Sequence, residues 1–244
     1  MLYRIILEKR ELNKKMIAVL LDPDQCKGSL LSATIAELKT ATPDFVFVGG
    51  SHAVNSVNSI IEILKEETDC PVILFPGDAS QFSIKADALL YLSLLSGRNA
   101  EFLIGQHINS SVSIKKSMIE VIPTGYLLIE GNKTSSVEYI SNTRPIPRDK
   151  KDIALSTAVA GELLGMRLIY LEAGSGAKEV VPLDMIKHLS TELSIPIMVG
   201  GGIGTEEQLI DAFRAGADIV VVGNAFESNP RKITEFVNAT RKYQ

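Results

Sequence analysis

The sequence predicts an α/β fold, a single (β/α)8 TIM-type barrel spanning residues 1–244 with a reduced third helix. Three observations lead there. Eight short runs rich in Val, Ile and Leu each end in Gly, Asp, Asn or Pro. Most segments between them carry apolar residues at helical spacing. The length suits one closed barrel.

In chain order the strand candidates are MIAVLLDPD, DFVFVGGS, PVILFPGD, ALLYLSLLSG, GYLLIEGN, RLIYLEAGSG, PIMVGGGIG and DIVVVGNAF. Their near-continuous apolar character is that of parallel strands covered on both faces. SLLSATIAELKTA, SVNSIIEILKEE, PLDMIKHLSTEL and TEEQLIDAFRAG supply the clearest covering helices. Two connections depart from the pattern. DASQFSIKAD, between strands three and four, is barely long enough for a helical crossover, so the third helix is expected to shrink to a turn or an extended piece. GNKTSSVEYISNTRPIPRDKKD is long, polar and twice interrupted by proline, and reads as a mobile loop over the barrel mouth. No domain boundary or strong internal repeat is visible.

Bulk composition excludes several classes. The residues are 45% hydrophobic and 22% charged, with a net charge of -4 and no basic cluster, which argues against nucleic acid as a partner. Cys26 and Cys70 form no disulfide framework and suit a reducing compartment. The N-terminus has no signal-peptide core and no apolar run is long enough to span a bilayer, so the expected location is cytoplasmic.

Function should sit at the strand C-terminal ends. VGGGIGTEEQL places a Gly-rich turn before a helix, and Gly223-Asn224 ends the next strand. Either turn alone could be purely structural. Together, after strands seven and eight, they mark where barrels hold phosphate through backbone N–H groups. IYLEAGSG lies on the adjacent sixth strand. Tyr170 and Glu172, two apart, share a face, and in the inward register both face the ligand. A core lysine or arginine pairing with Glu172 is the structural alternative. Across the mouth, LLDPDQ brings Asp22 and Asp24, and Ser51 ends strand two. A carboxylate and a hydroxyl with room for water suit Mg2+, although Asp-Pro-Asp is also a common turn. His52, His107 and His188 lack zinc-ligand spacing. Phosphate on one side and magnesium on the other imply two phosphorylated ligands. The apolar stretches VILFPGDASQF and ALLYLSLLSGRNAEFLIG leave room for a greasy trough beside strands three and four.

LLDPD, VGGS, FPGDASQ, YLEAGSGA, VGGGI and VVVGNA, in this order and nearly end to end, resemble geranylgeranylglyceryl phosphate synthase, an archaeal-type barrel prenyltransferase also found in some bacteria. The resemblance implies transfer of a geranylgeranyl group from its diphosphate to the C3 hydroxyl of sn-glycerol 1-phosphate, with magnesium. It implies metal at Asp22 and Ser51. It puts glycerol phosphate against Tyr170, Leu171, Glu172, Ala173, Gly174, Ser175, Gly176, Gly201, Gly202, Gly223 and Asn224, with Glu172 as the catalytic base. It also implies a homo-oligomer, a dimer or hexamer, with at most transient membrane contact. One branch of the family has a lysine two residues before the aspartate; Leu20 stands here, which leaves the balance of phosphate charge open. Heptaprenylglyceryl phosphate synthesis is the nearest alternative. A phosphosugar isomerase using Asp22 and Glu130 as an acid–base pair is another, and a phosphate-binding barrel without activity a third.

Overall fold

The computed structural model describes residues 1–50 and 55–244. Among them, eight parallel strands close into a barrel in sequential order. β1 (Met16–Leu21), β2 (Phe45–Val48), β3 (Val72–Leu74) and β4 (Ala88–Leu94) form one half. β5 (Glu120–Leu128), β6 (Leu168–Glu172), β7 (Ile197–Gly200) and β8 (Ile219–Val222) complete it, with β8 pairing back onto β1.

Alternation along each strand divides the apolar residues into two layers. Met16, Ala18, Phe45, Phe47, Ile73, Leu90, Ile122, Leu168, Tyr170, Met198 and Val221 fill the barrel interior. Ile17, Val19, Val46, Leu127, Leu171, Val199 and Val220 face the surrounding helices. Those helices include α2 (Gly28–Thr40), α3 (Val57–Glu67), α4 (Gln106–Ser117), α6 (Lys151–Leu163), α7 (Leu183–Glu192), α8 (Glu206–Ala215) and α10 (Lys232–Tyr243). Thr205 caps α8 reciprocally with Gln208, so TEEQ is a true capping box.

Helix α1 (Leu2–Glu11) is an element the sequence did not announce. It closes the barrel floor with buried Ile6. The Glu120 carboxylate at the start of β5 accepts from the backbone N–H groups of Leu2 and Tyr3 at 2.5 and 3.0 Å. Those are amides that a helix start leaves unsatisfied. Charges at apolar positions hid this helix, because its buried face is narrow.

A repeated device fixes the strand starts. Asp44, Asp87 and Asp218 each precede an even-numbered strand and accept from an amide in the first two residues of the strand before, at Ile17, Val72 and Ile197. Each is also paired with a cation: Lys9, Lys65 and Arg10, respectively.

The third crossover holds a single 3₁₀ turn, Ala79–Gln81, as the short spacing requires. The long connection after β5 lies over the mouth as expected, with Thr134, Val137 and Ile140 lining it. It also holds a short helix, α5 (Ser136–Ser141), and Ile146 bridges to Ile129 beside β5, which the sequence did not announce. Ser135 caps α5 by accepting from the Glu138 amide at 3.1 Å, and Arg148 donates to the Glu130 carbonyl at 2.9 Å. Ser135, in a stretch that reads as a polar loop, is therefore a capping residue.

Candidate active site

The C-terminal rim of the barrel surrounds a broad polar mouth. Asp22, Glu172, Ser175, Gly176, Gly201, Gly202, Gly223 and Asn224 all line it, drawn from four strand ends. Leu20 lines it too, packed so that its Cδ2 lies 3.6 Å from where a Cβ on Gly223 would stand.

Glu172 ends β6 with its side chain inward and only 7% exposed. The Tyr170 hydroxyl donates to Oε2, and the Gly174 amide donates to Oε1 at 2.7 Å. Neither partner is a cation, so the core ion pair considered as an alternative is absent among the described residues. Burial raises the Glu172 carboxyl above its ordinary value, while the bonds from Tyr170 and Gly174 hold it down. The result is a carboxylate poised to accept a proton. The glycines of β7 make its room. A Cβ on Gly200 would stand 3.0 Å from Glu172 Oε2, and one on Gly201, where φ is +85°, would stand 2.7 Å from the Gly174 nitrogen. Their absence of side chains therefore serves the Glu172 loop first, whatever else approaches the turn.

Asn224 opens the short helix α9 (Asn224–Ser228) and latches this loop. Its Oδ1 accepts from Ser175 Oγ at 2.9 Å and from the Gly176 amide at 3.0 Å, while its Nδ2 donates to Glu227 at 3.3 Å.

An apolar trough runs into the mouth. Phe82, Leu90, Leu92, Leu94, Phe102 and Ile114 line it, and Gly50, Phe75, Tyr126, Val137 and Ile140 belong to both cavities. It lies beside β3 and β4, where the shortened crossover leaves the strands without a full covering helix. Glu172 thus faces a polar chamber that opens directly onto a greasy one.

The model of the PcrB family matches residues 8–240. The chain belongs to the PcrB family. It is 46% identical over 239 residues to a geranylgeranylglyceryl phosphate synthase of Chitinophaga pinensis, covering 98% of this chain and 95% of that one. It is 43% identical to one of Thermococcus kodakarensis, covering 90% and 87%. A solved structure of (S)-3-O-geranylgeranylglyceryl phosphate synthase from Thermoplasma acidophilum, in complex with substrate sn-glycerol-1-phosphate, superposes with a TM-score of 0.91. That pair shares 34% identity over 98% of both chains.

Not every residue expected at the site of this PcrB chain reaches it. The Leu171 side chain points outward into the layer between strands and helices, since β6 alternates and its neighbours point in. Ala173 is likewise buried in that layer, and Gly174 spends its amide on Glu172. Ser51 lies outside the described residues. Asp24 turns from the mouth to Asn55 and Lys27. Glu130 is exposed in a separate cavity behind the β5 loop and cannot form a pair with Asp22, which removes the isomerase geometry.

Phe75 and Tyr126 in the PcrB mouth went unnoticed in the sequence. With Tyr170 they form a ring cluster, with centroids 5.5 Å apart for Phe75–Tyr170 and 5.3 Å for Tyr126–Tyr170. Burial, and next the Glu172 charge, pushes both phenols well above their ordinary range, so they remain neutral donors. Inward parity on their strands is the signal that could have found them. Glu227 lines the mouth one helical turn after Asn224; burial raises its carboxyl, and the charge of Asp22 raises it further.

For a metal, the described residues offer no cluster of three His, Cys, Asp or Glu side chains. Asp22 Oδ1 accepts from the Asp24 amide at 2.7 Å, while Oδ2 lies 3.2 Å from where a Cβ on Gly50 would stand. One carboxylate with an open side, and a second carboxylate close enough to repel it, fits an ion that keeps waters and shares substrate oxygens. That is the coordination habit of magnesium, and a poor one for zinc.

Proposed function

We propose that this chain is a prenyltransferase joining the C3 hydroxyl of sn-glycerol 1-phosphate to geranylgeranyl diphosphate, giving 3-O-geranylgeranylglyceryl phosphate and diphosphate. One observation carries the reading: Glu172 lines a polar, glycine-edged mouth that opens through Phe75 and Tyr126 into an apolar trough. The glycerol phosphate complex of the Thermoplasma acidophilum relative supports the polar ligand.

The turns at Gly202 and Gly223 would receive the phosphate, presenting the glycerol hydroxyls to Glu172. The Glu172 carboxylate accepts the C3 hydroxyl proton as that oxygen bonds to C1 of the prenyl chain. The C1–oxygen bond to diphosphate breaks at the same centre, and the electron pair leaves with diphosphate. The rings of Phe75, Tyr126 and Tyr170 stand at the junction, where positive charge on the allylic carbon develops. Tyr170 holds Glu172 in place and stays protonated throughout. The trough orders the chain and excludes water, which would otherwise compete with glycerol for that carbon. Asp22, with Ser51 by resemblance, would hold magnesium, which when bound stabilises negative charge on the departing diphosphate.

No helix among the described residues is long and apolar enough to cross a membrane. The lipid substrate is then collected by transient contact. Assembly into a homo-oligomer is supported by the apolar side chains left open on and just after α6, at Ile153, Leu163 and Leu164.

The test is direct. Purified protein, labelled sn-glycerol 1-phosphate, magnesium and a ladder from geranyl to heptaprenyl diphosphate should yield organic-extractable label, most with geranylgeranyl. Maximal turnover with heptaprenyl diphosphate would reassign the chain length. No product with any member of the ladder would overturn the reading.

A further inference from the structure

Glycerol phosphate enters this mouth as a dianion, yet the described residues lining it include three carboxylates, Asp22, Glu172 and Glu227. Their sum is repulsive, and backbone amides carry no net charge to offset it. Position 20, which borders the Gly223 turn, holds an apolar leucine. A fixed cation therefore has to come from elsewhere.

Lys232 is the one basic side chain among the described residues that line the mouth. It starts α10, immediately after the segment that follows α9, and it is half-buried. Its Nζ donates to the Gly204 carbonyl at 3.0 Å. That bond ties the ammonium to the end of the β7 turn, on the same side as Gly202, Gly223 and Asn224. Among the described residues no carboxylate forms an ion pair with it, while Lys9, Lys15, Lys27, Lys39, Lys65 and Lys85 all have one. An ammonium has three N–H donors, and Gly204 uses one. A positive charge held by a neutral carbonyl, with donors to spare, is placed to receive an anion.

We infer that Lys232 supplies the fixed positive charge that binds the phosphate of the glycerol substrate, taking the place that a lysine at position 20 would fill from the opposite side of Gly223. The inference rests on the glycerol phosphate reading above. The carbonyl of Gly204 positions the amine, and charge-assisted N–H bonds to phosphate oxygens give the affinity. Lys232 thereby selects a phosphorylated glycerol over an uncharged one, and takes no part in bond making.

A purely structural role, tethering α10 to the β7 turn, is the competing account, and Lys232→Gln separates the two. Glutamine retains a donor for the Gly204 carbonyl and loses the charge. Titration calorimetry with sn-glycerol 1-phosphate and, separately, inorganic phosphate should show both weakened about tenfold or more, the size expected for losing a hydrogen bond to a charged group. The melting temperature should stay within a degree or two of the unmodified protein, and kcat at saturating glycerol phosphate should change little. Lys232→Arg should bind nearly as well as lysine. Adding Leu20→Lys to Lys232→Gln should recover much of the lost affinity, because the new amine reaches the Gly223 turn. Unchanged phosphate affinity in Lys232→Gln overturns the inference, as does an affinity loss that merely tracks a fall in melting temperature and is not recovered by Leu20→Lys. Failure of the unmodified protein to bind sn-glycerol 1-phosphate at all would instead overturn the substrate reading.

Discussion

The Tyr170 hydroxyl donates to the carboxylate of Glu172, two residues further along the same inward face of β6. The tyrosine is wholly buried and the glutamate nearly so. This pair fixes a proton acceptor in the polar mouth, and among the described residues no cation pairs with it. It decides what the first substitution should do.

Glu172→Gln keeps the side-chain shape and removes the proton-accepting charge. The expected result is a fall in kcat of roughly 10²–10⁴-fold, the range for a lost general base. The pH dependence follows from the direction of the shift. A carboxyl raised above its ordinary 4.5 binds more protons folded than unfolded between the two values, so its contribution to stability falls as pH rises through that window. Activity should gain an acid limb above 4.5 that Glu172→Gln lacks. The melting temperature of the variant should gain on the unmodified protein as pH increases. Near-normal kcat per folded molecule would remove Glu172 from the role.

Asn224→Ala frees the loop after β6 from its latch, since two donors at 175 and 176 lose one acceptor. The KM for glycerol phosphate should rise several-fold to about tenfold, with kcat affected less. Steady-state kinetics at saturating prenyl diphosphate measures both. An unaltered KM would mean that the loop holds its shape without Asn224.

Gly200→Ala drives a methyl group to within 3.0 Å of Glu172 Oε2 and closer still to the Tyr170 hydroxyl, so the hydrogen-bonded pair has to shift. Thermal or denaturant unfolding should report a loss of about 1–3 kcal/mol from overpacking. Gly204→Ala is the comparison: its nearest neighbour would be Gln208 Oε1 at 4.0 Å, and stability should hardly move. Equal effects at the two positions would contradict the packing account.

Leu171→Ala should behave as a core truncation. Its side chain belongs to the layer under the helices, so the expected cost is about 2–5 kcal/mol of stability. The KM values of whatever remains folded should match those of the unmodified protein. A selective loss of glycerol phosphate affinity would return Leu171 to the substrate site.

Asp22→Asn removes a charge from the open side of the mouth. Turnover should drop strongly and its magnesium requirement should shift to higher concentration, while calorimetric affinity for glycerol phosphate is retained. Full activity with an unchanged magnesium titration would exclude Asp22 as a ligand.

What was legible in the sequence was what short-range chemistry writes there. Period-two and continuous apolar runs specified eight strands, because a strand buried on both faces needs little else. The short DASQFSIKAD stretch before β4 was expected to lack a full helix, and it holds only a 3₁₀ turn. Glycine runs after β6 and β7 marked close backbone approach, and parity put Tyr170 and Glu172 on one face. The same local reading failed wherever a residue's task depended on a distant partner. Helix α1 needed the Glu120 carboxylate, more than a hundred positions away, before its amides were satisfied. Ser135 read as part of a long polar loop until the fold showed it capping α5 beside the mouth. Leu171 was drawn into the site by its neighbours in the motif, although alternation along β6 turns it away. Asn224 meets Gly176, Phe75 meets Tyr170, and Lys232 meets Gly204 only because eight strand ends close into one ring. Periodicity is a property of adjacent residues and survives in the unfolded chain. A chamber lined from opposite sides of a barrel exists only once the barrel has closed.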